Sequence, residues 1–228
     1  MSLLSVHRVA DVRSVPTHTR IYFIRHGESE ANQRQIFAGQ TDVSLTPLGR
    51  RQAACTAEYL RTVALDAVYT SDLLRAVQTA QPVADSHGLP LRMRPALREI
   101  HAGEWEGRPF TELMTRPDYR QWIQQIGLAH CAGGESVAEL QSRIAAAVAD
   151  IVRRHPGGTV CIVTHAAAIR TQECLWRGVP LAQMHTVPWV SNASVTVADY
   201  TAPDTGHLLA RDIHAHLGQL ETVLPPNV

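Results

Sequence analysis

Arg25-His26-Gly27 closes a run of strand-forming residues, Ile21 to Ile24. The run predicts a buried strand that presents a guanidinium and an imidazole at its carboxyl end, the edge of an open α/β sheet where ligands bind. A guanidinium offers fixed donors that match a phosphate or a carboxylate, and a neutral imidazole is a nucleophile or base near pH 7. Gly27 lets the backbone turn sharply or approach a ligand closely. A surface loop after a strand would read the same way, so the triplet needs partners. Arg75 falls in the first turn of a predicted helix, where a charged donor adds to backbone amides that already attract an anion; a solvated arginine on an exposed face is the alternative. Glu99 follows a further strand candidate, among Gly and Trp, where partial burial would raise a carboxyl toward a general acid's working range; an ordinary solvated loop carboxylate is the alternative there. His165 ends a second strand, Thr159 to Val163, and repeats the opening arrangement of strand, histidine and turn.

The elements that must hold these groups alternate along the chain. The polar stretch Glu28 to Leu45 suits a long loop over a site. A helix follows with Thr46 as N-cap and Pro47 in first position, its apolar face running through Ala53, Ala57 and Leu60. Ala67 to Thr70 reads as a strand, Ser71-Asp72 as caps for a helix through Leu74, Val77, Ala80 and Ala84 to a stop at Gly88, and Leu91 to Leu97 as another strand. Between Arg108 and Gly134, helical character around Phe110 to Met114 and Tyr119 to Ile126, with a break at Pro117, suggests a cap beside the site. In that segment Trp122 is expected to pack on the domain. Ser136 and Glu139 form a capping-box pattern that opens a long amphipathic helix through Leu140, Ile144, Val148 and Ile151 to Pro156-Gly157-Gly158. Thr159 to Val163 reads as a central strand covered on both faces, Ala167 to Trp176 as a helix, and Ser194 to Ala198 and Leu208 to Ile213 as strands that finish the sheet. The alternation predicts parallel pairing by right-handed crossovers.

Composition narrows the chemistry. At 228 residues, 45% hydrophobic and 18% charged, the chain is long enough for one sizeable core and needs no second domain. Its formal net charge is zero, which argues against general nucleic-acid or anionic-membrane binding. All 21 basic residues are arginine, so a Schiff base on lysine and a P-loop lysine are excluded, and any phosphate must be held by Arg, His and backbone N–H groups. Cys55, Cys131, Cys161 and Cys174 are scattered without C-x-x-C spacing, which points neither to a zinc site nor to a disulfide framework and fits reduced thiols in the cytoplasm. His214 and His216 lack an acidic partner at ligand spacing, and no metal site is expected. No apolar run is long enough for a membrane helix, and residues 1–19 lack the apolar core of a signal peptide. The expected organisation is an N-terminal extension over 1–19, one domain over 20–216 and a C-terminal tail over 217–228.

In order along the chain, Ile24-Arg25-His26-Gly27-Glu28 with Asn32, Leu45-Thr46-Pro47-Leu48-Gly49, Thr70-Ser71-Asp72-Leu73 with Arg75-Ala76 and Gln78-Thr79-Ala80, Glu99 with Gly103-Glu104-Trp105-Glu106-Gly107, Gly134-Glu135-Ser136 and Thr164-His165 resemble the motifs of the histidine phosphatase superfamily, the phosphoglycerate mutase-like proteins. The resemblance spans roughly Arg20 to Ile213 and implies a three-layer α/β/α sandwich with a mostly parallel central sheet. It further implies an enzyme, a phosphoric monoester hydrolase of histidine acid phosphatase type. Arg25, Arg75 and His165 would surround the phosphoryl oxygens, Asn32 and the Ala166 backbone would add donors, and His26 would attack phosphorus. Glu99 would protonate the leaving alcohol and then activate water. The substrate implied is a small-molecule phosphomonoester, with no cofactor and no metal, since two guanidinium groups and the histidines supply the positive charge.

One departure from the family pattern falls at Ala166-Ala167, where glycines are usual. Alanine keeps the backbone N–H, but a required positive φ would make its Cβ costly. The mutase-type Glu-Arg-His-Tyr sequence is absent after the acid, and the span from Glu99 to Gly134 leaves little room for a large lid, so the resemblance favours the phosphatase branch. A phosphoglycerate-type phosphomutase and a catalytically weak phosphate-binding or interaction module are the alternatives. Arg34, Phe37, His101 and Trp105 are the candidates for an outer pocket around the leaving group. Trp189 is open between interface and core, and neither the substrate nor the oligomeric state follows from the sequence.

Overall fold

The computed structural model describes residues 18–222. β-Preferring runs become six strands: β1 Thr19–Arg25, β2 Ala67–Thr70, β3 Leu91–Met93, β4 Thr159–Thr164, β5 Val195–Ala202 and β6 Thr205–Ile213. Seven helices separate or flank them: α1 Glu30–Gln33, α2 Pro47–Leu60, α3 Leu74–Ser86, α4 Phe110–Leu113, α5 Pro117–Gln124, α6 Val137–Arg154 and α7 Ala166–Trp176. The strands form one sheet in the order β3-β2-β4-β1-β5-β6. Its first four strands are parallel, and β5 and β6 add an antiparallel edge.

The period-two alternation of β4 sorts the layers. Val160 and Ile162 face a core with Leu140, Ile144 and Ile151 of α6 and Ile169 of α7, while Cys161 and Val163 face Leu60 of α2 and Ala80 and Val83 of α3. Burial on both faces explains why the interior of this strand, Val160 to Val163, carries no polar position. The helices begin where the sequence supplies caps. The Thr46 hydroxyl accepts from the Gly49 N–H at 3.0 Å with Pro47 in first position, and Ser136 and Glu139 form a reciprocal capping box. Three glycines permit backbone contact that a side chain would block. A Cβ on Gly49 would lie 2.0 Å from the Glu28 carbonyl oxygen, and one on Gly134 would lie 2.1 Å from that of His101. At Gly103, φ is +55° and a Cβ would meet the Ala132 carbonyl at 2.2 Å.

Several boundaries differ from expectation. The stretch from Glu28 to Leu45 is not all loop: Ser29 and Asn32 cap the short α1. Ser71 and Asp72 do not cap α3, whose N-cap is Leu73 without a side-chain bond. Asp72 instead takes a bidentate ion pair from Arg98, and Ser71 Oγ accepts from the Leu73 N–H at 3.3 Å. The strand expected over Leu91 to Leu97 stops at Met93, because Pro95 turns the chain into a 3₁₀ turn, Pro95–Leu97. Pro117 opens α5 instead of breaking it. Of the expected extension over 1–19, residues 1–17 lie outside the described residues, and Thr19 already belongs to β1. The start of the expected tail is packed: Leu217 is buried, and Gln52 Nε2 donates to the Leu220 carbonyl at 2.7 Å and to Thr222 Oγ1 at 2.8 Å. Residues 223–228 lie outside the described residues.

Candidate active site

The strand order brings the chemistry to one edge. β4 lies between β2 and β1, with Arg25 opposite Thr164 and Thr70 opposite Val163. The residues that follow these three strands, His26, His165 and the start of α3, therefore emerge side by side at the carboxyl ends of parallel strands. The His26 N–H donates to the Thr164 carbonyl at 3.0 Å, and the His26 and His165 rings stand 5.2 Å apart, centre to centre.

Hydrogen bonds settle the protonation of His26. Nδ1 lies 2.7 Å from the Gly27 carbonyl oxygen, which can only accept, so Nδ1 carries the proton and Nε2 the lone pair. Nε2 receives the Nε–H of Arg75 at 3.3 Å. Burial and the positive charges of Arg75 and Arg25 hold His26 well below its ordinary range, so the ring is neutral at pH 7. His165 is fully buried, is pushed down by the same burial, and has no partner on either ring nitrogen.

Both arginines are fixed before any ligand arrives. Arg75 donates through its two terminal nitrogens to the carbonyls of Thr41 at 2.9 Å and Gly39 at 2.7 Å, and Arg25 donates to the Val190 carbonyl at 2.6 Å. Burial lowers each to about 10, against the pull of Glu99, so both remain cationic at neutral pH. The Arg25 Nε is buried without an acceptor. Asn32 lines the cavity and spends its carbonyl oxygen on the Ser29 N–H at 3.1 Å, so its amide NH₂ is the group left to donate.

Glu99 faces these cations from the segment after β3. Its two carboxyl oxygens accept from the Ile100 N–H at 2.9 Å and the Ala167 N–H at 3.2 Å. Those bonds and the arginines favour the ionised form, yet burial outweighs them and raises the carboxyl above its ordinary value. Arg143 holds the backbone beneath it, donating to the carbonyls of Ala96, Arg98 and Glu99 and pairing with Glu135 at 2.8 Å. Glu106 ties this segment to the loop that grips Arg75, accepting from the N–H groups of Ala102 and Gln40, each at 2.9 Å, and from the Thr41 hydroxyl at 3.1 Å.

Ala166 and Ala167 open α7 in ordinary helical conformation; neither has a positive φ. The backbone there demands no glycine, and both alanines line the pocket at a helix N-terminus.

The four outer candidates separate. Phe37 lines the pocket. Trp105 is fully buried behind it, 6.1 Å from the Phe37 ring, with its indole N–H on Asp118 at 3.3 Å. Arg34 and His101 are exposed and outside the pocket wall. Sequence reasoning overlooked Tyr119 and Trp189 on that wall, and Trp122, assigned to packing alone, serves both the core and the wall. It also overlooked Asn192, whose amide donates to the His26 carbonyl at 3.0 Å. His214, expected to lack an acidic neighbour, has Asp212 at 3.7 Å; no group of three metal-binding side chains occurs among the described residues. No helix among those residues is long and apolar enough to cross a membrane.

Residues 21–211 match the family model of the histidine phosphatase superfamily, branch 1. The chain belongs to that superfamily. Among its relatives in the histidine phosphatase superfamily, phosphoserine phosphatase 1 of Hydrogenobacter thermophilus is 30% identical over 202 residues, 88% of this chain and 95% of that one. The probable phosphoglycerate mutase GpmB of Yersinia enterocolitica is 32% identical over 206 residues, 83% of this chain and 94% of the other. The solved structure of Bacillus stearothermophilus YhfR superposes with a TM-score of 0.83 at 33% identity, covering 87% of this chain and 99% of that one. The fold is thus that of the phosphoglycerate mutase-like histidine phosphatases, and the activity class is phosphatase or mutase.

Proposed function

We propose that this histidine phosphatase is a metal-independent phosphomonoesterase acting through a phosphohistidine on His26, in the cytoplasm, on small phosphorylated metabolites. The observation that carries the reading is the state of His26: a neutral ring with its proton fixed on Nδ1, its Nε2 lone pair facing the buried Arg75 guanidinium, with Arg25 and the raised carboxyl of Glu99 in the same pocket.

The steps follow from charge. A phosphomonoester carries nearly two negative charges that repel a nucleophile, and Arg25, Arg75, the Asn32 amide, the N-terminus of α7 and one N–H of His165 offset them. His26 Nε2 attacks phosphorus, and the P–O bond to the leaving group breaks. Protonated Glu99 delivers its proton to the departing alkoxide oxygen. The Glu99 carboxylate then takes a proton from water as water attacks the phosphohistidine; phosphate leaves, and His26 and protonated Glu99 are restored. Fixed arginines supply the electrostatic stabilisation for which a metal would otherwise serve.

The test is phosphate release from an aryl phosphate in chelator, wild type beside His26→Ala, with the protein quenched in alkaline detergent and examined for phosphohistidine. Release and a trapped phosphoenzyme, both lost in the variant, are expected. A phosphoryl group that reaches a second hydroxyl instead of water would make the protein a mutase, and an unlabelled His26 without turnover would make it a binding module.

A further inference from the structure

Beyond the phosphoryl subsite the pocket wall is aromatic. Phe37 stands 6.0 Å from Phe110, 6.1 Å from Tyr119 and 5.6 Å from Trp122, ring centre to ring centre, and all four line the cavity together with Ile36 and Trp189. The space, open solvent included, is about 650 Å³. Among the described residues, Arg25 and Arg75 are the only arginines that line it, and both belong to the phosphoryl subsite. Arg170 stacks over the Trp189 ring, 4.2 Å from its centre, and donates to the carbonyls of Val187 at 2.6 Å and Met184 at 2.9 Å. A carboxylate seated among these rings would lose its hydration and gain no counter-charge.

We infer that the substrate's leaving group is an uncharged, apolar, ring-sized alcohol, and not a carboxylate-bearing one such as serine or glycerate; this rests on the phosphatase reading above. The phosphoryl group occupies the cationic floor, and the organic part displaces water from the aromatic wall. Specificity then comes from apolar burial and from the absence of a cation to receive a carboxylate.

The experiment compares kcat/KM for 2-phenylethyl phosphate, ethyl phosphate, O-phosphoserine and 3-phosphoglycerate on the full chain. All four release a primary alcohol, so leaving-group basicity does not set the order. 2-Phenylethyl phosphate is expected to exceed ethyl phosphate, and to exceed the two carboxylate-bearing esters by about tenfold or more. Ile36→Arg, at a half-buried position from which a long cation can still reach water, is expected to shift the ratio of phosphoserine to 2-phenylethyl phosphate upward by about tenfold. Far-UV circular dichroism and the thermal melt check that the variant has folded. Equal or greater kcat/KM for phosphoserine or phosphoglycerate, with phosphohistidine still forming on His26, overturns the inference and leaves the phosphatase standing. No turnover of any ester and no phosphohistidine overturns both.

Discussion

Replacing Glu99 by Gln removes the carboxyl that gives and takes the proton on the proposed route, and its effect divides by leaving group. Loss of general acid–base catalysis costs about 10²- to 10⁴-fold, so hydrolysis of an alkyl phosphate, whose alkoxide needs a proton, is expected to fall by that amount. An aryl phosphate departs as a stable phenolate, so its transfer to His26 proceeds nearly unimpaired, while hydrolysis of the phosphohistidine still lacks its base. The expected trace with 4-nitrophenyl phosphate is a burst of nitrophenolate close to one per active site, then a slow phase, with phosphohistidine accumulating. The structure sets a second cost. Glu99 accepts from the N–H groups of Ile100 and Ala167 through its two separate oxygens, and a glutamine has only one oxygen. One buried N–H then loses its acceptor, at about 1–3 kcal/mol, so thermal melting must confirm that the variant is folded at the assay temperature. Rapid quench in base and stopped-flow absorbance measure the burst. If aryl and alkyl esters slow equally and no phosphoenzyme builds up, Glu99 is not the proton carrier.

Stability should depend on pH through the same groups. His26 and His165 are depressed below 6.5, so their contribution is whole above 6.5 and is lost as pH falls, by up to about 2.7 kcal/mol per pH unit for two protons. Glu99, raised above 4.5, acts oppositely, its contribution being lost as pH rises from 4.5 through its folded value, which offsets about one proton where the windows overlap. Urea midpoints across pH 4–8 should therefore fall toward acid in the wild type and flatten in a His26→Gln/His165→Gln variant; equal slopes would contradict the buried neutral histidines. Gly49→Ala drives a Cβ to 2.0 Å from a backbone oxygen and should cost more than about 1–3 kcal/mol, a melting-temperature drop of several degrees by calorimetry; an unchanged melt would mean that the backbone yields there. Ala166→Gly should leave turnover level, since that backbone is helical; a several-fold gain would reveal strain that the φ angles do not.

How much of this was legible from sequence depended on range. Elements with local causes were readable: β1 and β4 from continuous apolar runs, α2 from Thr46-Pro47, and α6 from its Ser136–Glu139 box. The gathering of Arg25, His26, Arg75, Glu99 and His165 was readable only through the ordered motifs, since no local pattern encodes the order β2-β4-β1 that sets three strand ends together. The aromatic wall escaped because Phe37, the α5 pair Tyr119 and Trp122, and Trp189 come from three separate segments and only tertiary packing unites them. Trp105 was misplaced because a tryptophan in a Gly-rich stretch reads alike whether it faces a ligand or backs the residue that does. Ser71 and Asp72 looked like helix caps by type; the arginine that claims Asp72 lies 26 residues on, beyond any local rule.

The bond from His26 Nδ1 to the carbonyl of its own neighbour, Gly27, also fixes regiochemistry. On the proposed route the phosphoryl group can attach only at the distal nitrogen, giving the tele isomer, distinguishable from the pros isomer by ³¹P–¹H coupling. Because Nδ1 keeps its proton throughout, that adduct is a phosphorylated imidazolium, with the carbonyl dipole of Gly27 facing its positive charge. The cationic ring departs as neutral imidazole, a far better leaving group than the imidazolate anion that a neutral phosphoimidazole would have to expel, so a single main-chain oxygen prepares the intermediate for its own destruction and biases the enzyme toward turnover instead of storage.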